Sequence, residues 1–226
     1  MTVGLKRPRL LDLFCCAGGA AVGYHRAGFD VTGVDIAPQP RFPYMTVVQA
    51  DVMDVLADVK YLRSFDAIHA SPPCQAYTSL RALSSREHPR LIEPVREALQ
   101  RTGLPFVIEN VVGAPLIDPV TLCGSMFGLG LGEAVLKRHR LFESTVSLRG
   151  MQDACRGRKV VGVYGAGGAW TRVAPGGGGV KVSGPDAALA LGIDWHHYQP
   201  DLAQAIPPAY TQHIGRQLLS ACEVAA

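Results

Sequence analysis

The sequence predicts an α/β domain built on a doubly wound, mostly parallel sheet with a small loop-rich insertion. Short apolar runs alternate with helical patterns through the first half, small residues follow the first run directly, and a glycine-rich segment interrupts the second half. Residues 9–14 form a buried-strand run, then a glycine turn, then an apolar helical pattern over 20–27. Residues 30–35 are the second strand, 44–50 the third, ending at Asp51, and 65–70 the fourth. Residues 54–62 read as helical. Residues 91–101 put Leu91, Ile92, Val95, Ala98 and Leu99 on one helical face, and 105–109 are the fifth strand. Units of this length imply helices on both faces of the sheet and a ligand crevice at the carboxyl ends of the strands.

The second half differs. Residues 149–181 show little periodicity and hold seven glycines between 165 and 179. Regular structure returns near Asp186 and ends in a helix over about 209–222. The expected division is therefore an α/β domain over 1–148, an insertion over 149–182, and a return to the first domain over 183–226.

Composition narrows the class. Of 226 residues 48% are apolar and 18% charged, which supports a substantial core and excludes disorder. The longest uncharged runs, 13–24 and 119–132, are shorter than a membrane span and broken by glycine. The N-terminus lacks the basic-then-apolar order of a signal peptide. The cysteines at 15, 16, 74, 123, 155 and 222 form no Cys-x-x-Cys pair, so free thiols in a reducing cytoplasm are expected, with no metal and no membrane partner. A net charge of +3 permits a nucleic-acid partner without demanding one.

Two strand-end constellations carry chemistry. Asp12-Leu13-Phe14-Cys15-Cys16-Ala17-Gly18-Gly19 puts small residues between the first strand and the first helix, where backbone N–H groups approach a ligand. Asp35 ends the second strand, suited to ribose hydroxyls, and Asp51 ends the third, suited to an adenine amino group. Together they fit a nucleoside-bearing cofactor; the plainer reading is a tight turn. The spacing is not Gly-x-Gly-x-x-Gly, which counts against a dinucleotide enzyme. Further on, Ser71-Pro72-Pro73-Cys74-Gln75 presents a thiol past the fourth strand, and Glu109-Asn110-Val111 delivers a carboxylate at the next strand end. A thiolate beside a protonated acid suits nucleophilic addition to a ring that needs protonating. Lys137-Arg138-His139-Arg140 adds two guanidinium groups, or else a plain surface charge run.

In this order the motifs resemble the DNA (cytosine-5) methyltransferase family, joined by a closing Ala205-Ile206-Pro207-Pro208-Ala209-Tyr210. The resemblance covers residues 9–144 and 183–222. It implies a Rossmann-like S-adenosylmethionine-dependent methyltransferase fold, with S-adenosylmethionine as cofactor and duplex DNA, its cytosine flipped out, as partner. It implies Cys74 as the nucleophile toward cytosine C6, Glu109 as the acid at N3, and Arg138 and Arg140 as the groups that orient the base and Glu109. Phe14, Cys16, Ala17, Gly18, Gly19, Asp35 and Asp51 would hold the cofactor, with Ile36, Val52 and Pro73 beside it. Gln75, Ser79 and Arg81 after the thiol, and Arg156, Arg158, Trp170 and Arg172 in the insertion, would meet DNA.

The sequence departs from the family in three places. Cys16 replaces the first glycine of Phe-x-Gly-x-Gly, Leu136 the leading glutamine of the arginine motif, and Gln204 the asparagine of Gly-Asn-Ala. The insertion is also much shorter than a usual target-recognition lobe, which implies a short sequence context. Two other readings keep part of the pattern: cysteine-addition chemistry with another transferred group or with RNA or a nucleotide, and an inactive DNA- or cofactor-binding relative. The sequence carries no signal for oligomeric state.

Overall fold

The computed structural model describes residues 6–43, 45–78, 88–164, 169–171, 180–182 and 184–225. The first half runs β1 (Arg9–Leu13), α1 (Gly19–Ala27), β2 (Asp30–Asp35), β3 (Thr46–Gln49), α2 (Val52–Ala57), α3 (Val59–Leu62), β4 (Ala67–Ala70), α4 (Ile92–Gln100) and β5 (Phe106–Asn110). It continues with β6 (Val120–Leu122), a 3₁₀ turn at Gly124–Phe127, β7 (Gly130–Leu131), β8 (Ala134–Leu136) and β9 (Arg140–Ser144). The remainder is β10 (Val160–Val161), β11 (Ala169–Thr171), β12 (Val180–Val182), α5 (Gly184–Leu191), α6 (Gln199–Gln204) and α7 (Pro208–Ala225).

Seven strands form the main sheet in the order β3-β2-β1-β4-β5-β9-β6. The first five are parallel, and β9 lies antiparallel between β5 and β6. Alternation along β1 splits the core. Leu10 packs with Tyr24 of α1 and Tyr210, Ile214 and Leu218 of α7, whereas Leu11 and Leu13 pack with Leu56, Leu62, Val95 and Leu99 of α2, α3 and α4. Helices therefore cover both faces, as expected. Gly23 allows α1 and α7 to touch: a Cβ there would run into Thr211 and the Pro208 carbonyl.

Two elements differ from the sequence reading. The helix expected over 54–62 is split by Asp58, which leaves the helical region (φ −90°, ψ 80°) and caps α3 by accepting from the Tyr61 N–H at 2.9 Å. The third strand is shorter and exposed along its length, because it forms the sheet edge.

The insertion is anchored rather than loose where it is described. β10 adds in parallel to β8, and Val161, Val163 and Val182 share an apolar cluster with Ala187, Ala188 and Leu191 of α5.

A buried ion pair closes the far side of the sheet. Arg96 of α4 donates from Nε to Glu143 Oε1 (2.7 Å) and from Nη2 to Oε2 (2.8 Å), and Glu143 Oε2 also accepts from Ile117 N–H (2.8 Å). Both side chains are under a tenth exposed. Arg96→Leu leaves a buried carboxylate without its cation and should cost about 3–5 kcal/mol in urea unfolding. The Arg96→Leu, Glu143→Leu double variant should recover much of that loss. A single-variant cost under ~0.5 kcal/mol would mean the pair is solvated in solution.

Candidate active site

The strand order turns back between β1 and β4, so the loops that follow them diverge and leave a cleft at the carboxyl ends. Phe14, Cys16, Gly19, Asp35 and Ile36 line one end of it, and Pro73, Cys74, Gln75, Glu109 and Arg140 the other. Gln204 enters from the end of α6.

The turn after β1 is strained. Phe14 and Cys16 have φ of 61° and 45°, left-handed conformations that cost a non-glycine residue about 1–2 kcal/mol. Cys16 thus keeps the backbone path a glycine would take. Three bonds hold it: Cys15 N–H to the Val34 carbonyl (3.1 Å), Gly18 N–H to the Cys15 carbonyl (3.0 Å), and Cys16 N–H to Asp35 Oδ2 (2.9 Å). Asp35 Oδ1 accepts from Ala37 N–H (3.0 Å). Asp35 braces the turn and retains free lone pairs toward the cleft. Burial, then Asp35, pushes the Cys16 thiol up to about 12, so it stays protonated.

Four expected cofactor contacts stand elsewhere. Asp51 is the N-cap of α2 and accepts from Met53 N–H at 2.8 Å, and Val52 is buried in the core beneath it. Ala17 accepts a bond from Trp195 Nε1 (3.1 Å) through its carbonyl. Gly18 starts α1 with φ +85°, where a Cβ would sit 2.8 Å from Pro43. In exchange Asp12 joins the site. It lines the cleft with no exposed surface, and neither carboxylate oxygen has a hydrogen-bond partner among the described residues; Ala21 N–H approaches without hydrogen-bond geometry. Burial, then Asp35 and Glu109, holds its pKa well above the carboxylate range. A lone acid inside the apolar run 10–14 was the signal available for it.

At the other end Asn110 clamps the thiol loop. Its Nδ2 donates to the Pro72 carbonyl (2.9 Å), and its Oδ1 accepts from Val111 N–H (2.9 Å). Cys74 is half-buried. Burial raises its thiol, Arg140 pulls it down and Glu109 pushes it up, with a net upward shift. Glu109 is also shifted up: burial outweighs Arg140, whose Nε lies 2.9 Å from Oε1, and a bond from Ser71. Ser71 meets His69 Nε2 (2.9 Å), and His69 Nδ1 meets Tyr24 Oη (2.9 Å). Burial lowers His69 to about 3, so it is neutral. This polar chain from α1 to Glu109 joins residues far apart in sequence and was not read from it.

The two arginines separate. Arg140 faces the cleft beside Glu109, whereas Arg138 has no exposed surface and donates to the carbonyls of Val163 (2.7 Å) and Ala203 (2.8 Å). Arg138 acts as an internal strut, correcting the expectation that both arginines orient the base and Glu109. Leu136 is buried in the cluster around α5. Arg156 and Arg158 are exposed on a turn after Cys155. Trp170 pairs in register with Lys181 across β11 and β12. Ser79, Arg81 and Arg172 lie outside the described residues.

Asp12 sets a sign for pH dependence. Its folded pKa lies above the unfolded value near 3.9, so the folded state holds a proton that the unfolded chain releases. That group's contribution is most favourable below the ordinary carboxylate range and is lost as pH rises toward the folded pKa. Asp12→Asn should raise Tm at pH 7–8, leave it little changed near pH 4, and flatten the decline between. A variant less stable than the parent at pH 8 would overturn the raised pKa.

Comparison with known proteins agrees with this geometry. Residues 8–115 match the family model C-5 cytosine-specific DNA methylase. Over 124 residues, 48% of the chain, the sequence is 33% identical to the Type II methyltransferase M.XorII of Xanthomonas oryzae pv. oryzae, and over 125 residues, 46% of the chain, 29% identical to M.AquIA of a Picosynechococcus strain. These matches span only 29% and 49% of those two relatives' lengths. A protein encoded within an E. coli prophage and described as a DNA modification methyltransferase superposes with a TM-score of 0.64 at 16% identity, covering 94% of this chain and 99% of that one. Dnmt2 of S. pombe superposes at 0.62 and 14% identity, covering 96% and 99%. Those two likenesses establish the fold. Residues 8–115, just under half of the chain, carry the likeness to the C-5 cytosine-specific DNA methylase model, and most of the cleft motifs fall within them.

Proposed function

We propose that this protein methylates C5 of cytosine in DNA, with S-adenosylmethionine as donor. The observation that carries the reading is the cleft itself, where Cys74, Glu109 and Arg140 share one wall opposite a braced turn with two buried carboxylates. The cofactor fits that turn. Its sulfonium and ammonium charges suit Asp12, whose buried oxygens have no hydrogen-bond partner among the described residues, and its ribose hydroxyls suit Asp35. Phe14 and Ile36 would flank the nucleoside. Bound there, S-adenosylmethionine supplies an electrophilic methyl group.

The protein's own residues do the rest. Deprotonated Cys74 adds through Sγ to C6 of the cytosine, and the C5–C6 π electrons become available at C5 for the methyl carbon, whose bond to the donor's sulfur would break to leave a neutral thioether. Glu109, kept protonated by burial, donates at N3 so that negative charge does not accumulate on the ring. Arg140 holds Glu109 in place and lowers the cost of the thiolate. Loss of the C5 proton to a solvent base then restores the double bond as the C6–S bond breaks, the thiolate leaves and N3 returns its proton to Glu109. Pro73 walls the cleft between donor and base, and Asn110 fixes the loop that carries the thiol.

Cytosine within a duplex cannot enter such a cleft, so the base is flipped out at a cost of a few kcal/mol. Gln75, Ser79 and Arg81 beside the thiol, and Arg156, Arg158, Trp170 and Arg172 of the insertion, are assigned to the DNA. Cations there release counterions on any sequence, so recognition is short in context. The curated relatives are Type II methyltransferases, which favours a role beside a restriction activity in a reducing cytoplasm.

Two experiments test this reading. Cys74→Ser should abolish turnover while S-adenosylmethionine affinity stays within a few fold, and a 5-fluorocytosine duplex should trap the wild type covalently because fluorine cannot leave as a proton does. Activity retained in Cys74→Ser refutes the nucleophile. Asp35→Ala should weaken S-adenosylmethionine by about 1.5–3 kcal/mol in calorimetry, the range for hydrogen bonds to a charged group. An unchanged affinity means the ribose is held by other residues.

A further inference from the structure

Away from the cleft, four side chains that can ligate a metal converge. Cys123 ends the segment after β6, His139 stands between the two arginines, and Asp153 and Cys155 begin the insertion. Cys123 Sγ, His139 Nε2, a carboxylate oxygen of Asp153 and Cys155 Sγ all lie within 4.8 Å of one another. His139 Nε2 is 2.9 Å from Asp153 Oδ2, Cys155 Sγ is 3.2 Å from the same oxygen, and Cys155 Sγ is 3.8 Å from His139 Nε2. A tetrahedral zinc with bonds of about 2.0–2.3 Å spaces its ligands about 3.3–3.8 Å apart. The cluster therefore needs shifts of no more than about one ångström to take an ion.

We propose that Cys123, His139, Asp153 and Cys155 form a structural zinc site that fastens the insertion to the arginine segment. Donor chemistry selects the metal: two thiolates and an imidazole favour zinc over magnesium or calcium, and four protein ligands leave no open position for catalysis. Binding releases the thiol protons of Cys123 and Cys155, and His139 coordinates through an unprotonated Nε2.

The surroundings are arranged for this. Asp153 Oδ1 accepts from Ser125 Oγ (2.7 Å) and from the Cys155 N–H (3.0 Å), which leaves Oδ2 turned to the cluster. Val135, Met126 and Val160 pack around the two cysteines as an apolar wall, while His139 and Asp153 keep partial exposure that provides an entry path.

The site explains how so short an insertion is held. It joins three stretches distant in sequence by bonds that a small core could not replace. The absence of any Cys-x-x-Cys spacing, which led the sequence to predict no metal, follows because each ligand or ligand pair comes from a different stretch.

The test uses the full chain purified without chelator. Elemental analysis should find about one zinc per chain, and cobalt(II) exchanged for it should give the intense visible bands of a tetrahedral site together with thiolate-to-cobalt charge transfer. Cys155→Ser and Cys123→Ser should each lose zinc, and chelation of the wild type should lower Tm. If those variants fail to fold, the cobalt spectrum of the wild type still decides. A zinc-free chain that does not take up zinc on incubation overturns the proposal. So does an octahedral cobalt spectrum, zinc retained in full by Cys155→Ser, or a Cys123–Cys155 disulfide in peptide mapping.

Discussion

The buried guanidinium of Arg138 is the constraint on which the arrangement of this protein depends. A charge with no solvent exposure costs several kcal/mol unless its donors are met; here Nη1 and Nη2 meet backbone carbonyls of Val163 in the insertion and Ala203 beside the closing motif, while Nε has no hydrogen-bond partner among the described residues. Tyr210 of α7 donates to the carbonyl of Arg138 itself at 2.7 Å. One residue thereby ties the insertion, the closing segment and the last helix to the strand that carries Arg140. Burial, with Arg140 nearby, lowers Arg138 to about 9, which still leaves it charged at neutral pH. The positions of Arg140 and Gln204 at the cleft follow from that anchoring.

The cleft is governed by a contest between burial and the nearby guanidinium groups, Arg140 foremost. Asp12, Glu109 and Cys74 are each shifted toward their neutral forms, with burial the largest cause in every case. Arg140 opposes the shift at Glu109 and at Cys74, with a smaller contribution from Arg138 at both. The resting site therefore holds its protons, and charge develops only when a ligand or a reacting ring stabilises it. A neutral His69, bridging Tyr24 and Ser71, supports Glu109 from behind without adding charge.

The insertion is held by its described parts in two ways. Val161, Val163 and Val182 give it apolar contact with α5, and the carbonyl of Val163 gives it the bond from Arg138. The cluster of Cys123, His139, Asp153 and Cys155 adds a third fastening at its start. A segment of this size gains rigidity from the domain it sits on rather than from a core of its own.

The alternation of strands and helices, the turn at Cys16, the thiol after two prolines and the acid in the next strand were all legible in the sequence. Each rests on local physics: apolar periodicity, the φ demands of a tight turn, and the rigidity of proline. Expectations failed where a side chain had more than one use. Asp51 and Asp58 are short acids next to free helix N–H groups, and capping claimed them. Arg138 and Arg140 look equivalent two residues apart, and only packing sends one into the core and the other to the cleft. Asp12, the chain through His69 and Ser71, and the four-residue cluster around Cys155 depend on contacts between distant segments, which periodicity and spacing do not encode. The sequence by itself determined which chemistry the strand ends present, because that chemistry is carried by neighbours along the chain. The tertiary structure decided which charges are buried, which are paired and what holds the insertion, because those follow from desolvation and contact in three dimensions.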